Sequence, residues 1–121
     1  MISFNIIRED IIPTIQKITS FSFTAGEKRR LAIEIVNRYD ENQYLIPSGY
    51  EASITFQTTS TPVTKVATIH SQNSSIIYVD LSTSETTSFI SGRISVKIVE
   101  IADPTNVVIA IRENIFTKAR L

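Results

Sequence analysis

Cysteine and tryptophan do not occur in this chain of 121 residues, histidine and methionine occur once each, and glycine occurs three times. Without cysteine there is no disulfide framework, no thiolate nucleophile and no sulfur-ligated zinc or iron site. One histidine, His70, cannot build a zinc site and leaves a single residue of the commonest general-base type. Neither sign of charge dominates, since Lys plus Arg and Asp plus Glu number 12 each. No global field therefore draws in DNA, RNA or an anionic membrane, and neither nucleic acid nor membrane is expected as a partner. Long apolar runs are missing too: Arg8, Glu9 and Asp10 interrupt the leading residues, which excludes a signal-peptide core or a membrane span there. The expectation is a chain soluble where it is made, which reaches any extracellular location by riding on an assembly or after cell lysis.

What the chain has in quantity is β-branched and hydroxyl residues, with 21 Ile, 14 Ser and 14 Thr. This is the mixture of strands with one apolar and one polar face. The arrangement agrees. Leu31, Ile33 and Ile35 recur at every second position, as do Ile54 and Phe56, then Ile77, Val79 and Leu81, then Ile94, Val96 and Ile98, then Val107, Ile109 and Ile111. A period of two puts successive side chains on opposite sides of a strand, so each apolar set is expected to enter a core. Breaks at Ala25-Gly26, Pro47-Ser48-Gly49, Thr59-Ser60-Thr61-Pro62, Ser71-Gln72-Asn73-Ser74 and Asp103-Pro104-Thr105-Asn106 supply the turns. About seven short strands with such spacing predict an all-β, antiparallel β-sandwich, a single domain large enough to need no cross-link. Residues 65–70 are expected to return against residues 52–58 as a hairpin. Ser82 and Glu85 have capping-box spacing, so residues 82–88 are read as one short helical turn crossing between sheets. Phe89 would plug the core and Gly92 would let the chain reverse into the next strand. Phe21, Phe23, Phe56, Tyr78, Phe89 and Phe116 are read as core fillers.

Residues 1–20 differ from the rest. Ile2, Phe4, Ile6, Ile7, Ile11, Ile12, Ile15 and Ile18 are apolar at mixed spacings around Pro13, which fits either an extra edge strand or an arm lying on a neighbouring subunit. Residues 21–121 form the sandwich domain in this reading.

No residue set for catalysis emerges. His70 lies on the polar phase of its strand near Ser71, Ser74 and Ser75, but no G-x-S-x-G elbow presents a serine to it. Asp40, Glu41 and Asn42 share a loop, and Asp80 and Glu85 flank the helical turn, yet no D-x-D-x-D-G run marks a calcium loop. Lys28, Arg29 and Arg30 are adjacent cations beside Glu27 and Glu34, which reads as a solvated strand entry ahead of a phosphate contact. Catalytic, cofactor and metal residues are therefore expected to be none.

The order of signals resembles a small β-sandwich of bacteriophage tails, best known as the N-terminal domain of baseplate upper proteins of Gram-positive siphophages. The residues that carry it are Phe21-Ser22-Phe23-Thr24-Ala25-Gly26 with Leu31-Ala32-Ile33-Glu34-Ile35, then Pro47-Ser48-Gly49 with Ile54-Thr55-Phe56, then Ile77-Tyr78-Val79-Asp80-Leu81-Ser82, Glu85-Thr86, Phe89, Gly92 and Ile94-Ser95-Val96-Lys97-Ile98. Glu27 is followed here by Lys28 where that family often has a hydroxyl residue. The resemblance implies an immunoglobulin-like fold with an N-terminal arm, and no enzyme activity. It implies a structural component of a bacteriophage virion, in the tail or baseplate, the neck or the head decoration, that binds other virion proteins and is homo-oligomeric within the assembly. An adhesion or carbohydrate-binding sandwich using loops at one end is the alternative.

Overall fold

A computed structural model describes residues 2–8 and 16–119. Chain order is β1 (Ile2–Ile7), β2 (Lys17–Ile18), β3 (Phe21–Phe23), β4 (Arg29–Asn37), β5 (Tyr50–Thr58), β6 (Val63–Val66), β7 (Thr68–Ile69), β8 (Ile76–Leu81), α1 (Thr83–Ser88), β9 (Phe89–Glu100) and β10 (Val107–Lys118). Alternation along β4, β5, β8 and β9 turns their apolar sets inward, where Leu31, Ile33, Ile35, Ile54, Phe56, Ile77, Val79, Leu81, Ile94, Val96 and Ile98 are all buried. Two five-stranded sheets result, ordered β2-β1-β4-β8-β7 and β3-β10-β9-β5-β6. Their inner faces pack together as an all-β sandwich. The order β1-β4-β8-β7 against β10-β9-β5-β6, with β3 parallel to β10, is the connectivity of an immunoglobulin-type fold.

An immunoglobulin domain of antibody type ties its sheets with a disulfide packed on a tryptophan. Here phenylalanines fill the interior. Phe116 is the hub: its ring centroid lies 4.4 Å from Phe23, 5.3 Å from Phe56, 5.5 Å from Phe21 and 6.1 Å from Phe89. Phe56 and Phe89 stack at 4.6 Å. The helical turn forms as its capping box requires, since the Ser82 hydroxyl accepts from the Glu85 N–H and the Glu85 carboxylate accepts from the Ser82 N–H. Thr86, fully buried, directs its hydroxyl toward the Glu27 carbonyl at 2.8 Å and ties the turn to the β3–β4 connection. Lys118 closes the other end by donating to the Thr87 and Phe89 carbonyls.

Five details differ from the expectation. Ten strands replace about seven among the described residues, because β2, β3 and β7 are pieces of two or three residues beside longer neighbours. Residues 65–70 do not form one return strand: β6 pairs with β5, Ala67 turns inward, and β7 joins β8 in the opposite sheet. Gly92 does not reverse the chain but lies within β9, at φ 137°, beside irregular pairing with β10. Tyr78 is on the outer face, half-buried, with the Arg30 guanidinium 4.5 Å above its ring. The fifth is the largest. In β10 the apolar set points outward: Ile109 and Ile111 are 58% and 53% exposed, Val107 is exposed as well, and Ala110 is the buried one.

Of the leading segment, Ile2–Ile7 pairs with β4 along its length and buries Ile2, Phe4 and Ile6 in the main core. Ile11, Ile12, Pro13 and Ile15 of that segment, and Leu121, fall outside the described residues.

Phe116 is buried against four other phenylalanine rings. Phe116→Ala should lower unfolding free energy by about 3–5 kcal/mol, measured by urea denaturation, with Phe116→Leu losing distinctly less.

Candidate functional site

Three places collect polar or exposed apolar groups. The first surrounds the start of α1, where a surface pocket of about 430 Å³ is lined by Lys28, Arg30, Lys65, Asp80, Ser82 and Glu85 among others. Strand register builds it, since Arg30 faces Asp80 across β4 and β8. The Arg30 side chain donates to Asp80 at 2.7 Å, and Lys65 donates to the Glu85 carboxylate at 2.6 Å and to the Asp80 carbonyl. The Arg30 hydrogen bond holds the Asp80 carboxyl below its usual range. At Glu85 burial raises the carboxyl, but the Lys65 hydrogen bond and the Ser82 contacts together outweigh it and the net shift is downward. Arg29 likewise donates to Glu27, lowering that carboxyl, and lies over the Phe21 ring. Arg29 and Arg30 are thus engaged by carboxylates of the same chain, and Lys65 fastens α1 to β6 and β8.

The second place holds the histidine and the acidic loop. His70 is half-buried, and its Nδ1 accepts from the Gln72 N–H at 3.2 Å within the loop. Asp40 accepts from the Asn42 N–H at 2.9 Å, and Glu41 sits at φ 58°, so this loop spends its acceptor on its own turn. Asp80 and Glu85 are joined through Lys65. Among the described residues no group of three or more His, Cys, Asp or Glu side chains converges as a metal site would. No described helix is long and apolar enough to cross a membrane.

The third place is the free side of β10. On one side β10 is fully paired to β9 from Val107 to Arg112, and on the other β3 covers only Phe116–Lys118. Ladder phase follows from one bond, the Glu100 N–H donating to the Asn106 carbonyl at 3.0 Å. It makes Asn106/Glu100 a hydrogen-bonded pair. Alternation then assigns the backbone groups of Val108, Ala110 and Arg112 to β9 and turns those of Val107, Ile109 and Ile111 away from it. No described strand pairs with that second set. The side chains of the same three residues lie on the exposed outer face, so unpaired backbone and apolar surface coincide. A groove of about 370 Å³ runs beside them, lined by Ile2, Ser3, Arg38 and residues 109–113. Arg112 spans the opening toward β1, donating to the Phe4 carbonyl at 2.9 Å and to Asn5 Oδ1 at 3.2 Å.

Residue types alone flagged β10 as a strand but assigned its apolar phase to the core. The signal that could have corrected this is Ile115-Phe116, adjacent bulky residues that break the alternation and set which phase enters.

No protein-family model matches the chain, and no curated protein matches it either.

Since the Glu85 carboxyl is more acidic folded than unfolded, its contribution is complete above the ordinary glutamate range and is lost as pH falls through and below about 4.3. Glu85→Gln should therefore weaken the protein at neutral pH and flatten the loss of stability on acidification. Thermal unfolding between pH 7 and pH 3 measures both effects.

Proposed function

We propose that this chain is a non-enzymatic docking module, a structural component of a bacteriophage virion in its tail or baseplate, neck or head decoration. Its partners on this reading are neighbouring virion proteins, and it acts through sheet edges without a pocket chemistry. The observation that carries the proposal is the coincidence at β10 of outward backbone groups with the exposed side chains of Val107, Ile109 and Ile111. A long, flat, apolar edge is a liability that soluble proteins blunt with charge, proline or a covering segment, and residues 107–111 carry no charge and no proline. Such an edge has a use when another strand completes it. Balanced charge favours protein over nucleic acid or membrane as the partner. The phage assignment draws on the likeness of residues 21–121 to tail sandwiches, most specifically the strand, helical corner, Gly92 and strand from Ile77 to Ile98, which is a fold-level analogy.

Particles purified through a density gradient from a producing culture test this directly by mass spectrometry. Peptides of this chain should track the major structural protein at a constant ratio across the particle peak. Their confinement to the soluble fraction would contradict the proposal.

A further inference from the structure

The open stretch of β10 is complementary to itself. Its limits are sharp: the turn closed by Asn106 bounds one end, and Asn114, at φ 55°, bounds the other where pairing with β9 becomes irregular. Between them Val107, Ile109 and Ile111 point their N–H and C=O groups away from β9 and their side chains to one face. We propose that this edge takes a second copy of the chain, antiparallel about a two-fold axis through Ile109. The inference rests on the reading of the chain as an assembly module and names the partner at that edge.

In this arrangement Ile109 lies beside the partner's Ile109, and Val107 lies beside the partner's Ile111. Each of these pairs falls at a hydrogen-bonded position of the new ladder, so the outward N–H and C=O groups of one copy meet those of the other. The β6-β5-β9-β10 order then continues through the partner's β10, giving one sheet across the axis.

Charge selects both the occupant and the register. Residues 107–111 hold no charged side chain. In the Ile109-centred register the first charged residues beyond them, Arg112 and Glu113, stand opposite the partner's Asn106 and Thr105, and they are already engaged by Phe4 and Asn5 and by Arg93. No like charges face each other. Centring the axis on Ile111 would set Glu113 opposite the partner's Ile109 and run the pairing into Asn114, so the apolar match is best at Ile109. A zero net charge adds no long-range repulsion between copies.

The contact is small. Three partly exposed side chains and a short strand fall well below the roughly 1,200–2,000 Å² of a stable interface, so dilute protein is monomeric and pairing occurs where an assembly holds copies close.

Because the chain has no cysteine, a single introduced thiol reports the geometry cleanly. Ile109→Cys places two Cα atoms about 5.5 Å apart across the axis, within disulfide range. Val66→Cys is the control, 65% exposed on β6 at the opposite edge of the same sheet. On oxidation at equal concentration, Ile109→Cys should form disulfide-linked dimer about tenfold faster than Val66→Cys, through the raised local concentration of the paired state. Adding Ile111→Lys to the Ile109→Cys chain should remove that advantage, with circular dichroism unchanged. Equal rates for the two thiols, or an advantage that survives Ile111→Lys, would overturn the proposal. That result combined with incorporation into purified particles would leave the virion reading intact and assign the edge to a strand of another protein.

Discussion

The packing of Phe116 among Phe21, Phe23, Phe56 and Phe89 constrains the last strand and, through it, the surface of the molecule. Phe116 and its neighbour Ile115 are both buried, which strict alternation forbids. The strand accommodates them by an irregularity: Arg112 faces Ile94 and Phe116 faces Gly92, so four residues of β10 advance while β9 advances two. Asn114 takes a left-handed conformation that its short polar side chain tolerates better than most, and Gly92 opposite Phe116 adopts φ 137°, which side-chain-bearing residues rarely do. Upstream of the irregularity the ladder fixes Val108, Ala110 and Arg112 inward. The stronger apolar phase of β10 is therefore forced into solvent.

This outward phase would be harmless on a central strand or beneath a covering loop. Here it coincides with an edge, because among the described residues β3 pairs with β10 only beyond the irregularity, while Arg112 reaches across to β1. The charged network around Arg30, Asp80, Lys65 and Glu85 plays the opposite part. Its members Arg30, Asp80, Lys65 and Glu85 neutralise one another and bind α1 to both sheets. Among the described residues the charged cluster is thus largely taken up by the fold, while no described strand pairs with the apolar strip.

Much of the architecture was legible from residue spacing. Alternation located β4, β5, β8, β9 and β10, the Ser82 and Glu85 spacing located α1, and Asp103-Pro104 marked the final hairpin, because each of these signals is local. What was not legible depends on partners distant in sequence. Nothing at Ala67 announces that the chain changes sheets between β6 and β7. Tyr78 looks like a core aromatic until Arg30 is placed above it by the β4–β8 register. The candidate edge was missed for the same reason: period two reports that a strand has two faces, while which face enters is decided by Phe116 and which side stays unpaired is decided by where β3 ends.

Amide hydrogen exchange of the dilute monomer, resolved residue by residue along β10, tests the central claim most directly. An open edge with the ladder phase described here predicts fast exchange at Val107, Ile109 and Ile111 and strong protection at Val108, Ala110 and Arg112. Uniform protection across residues 107–112, or the reverse alternation, would contradict it.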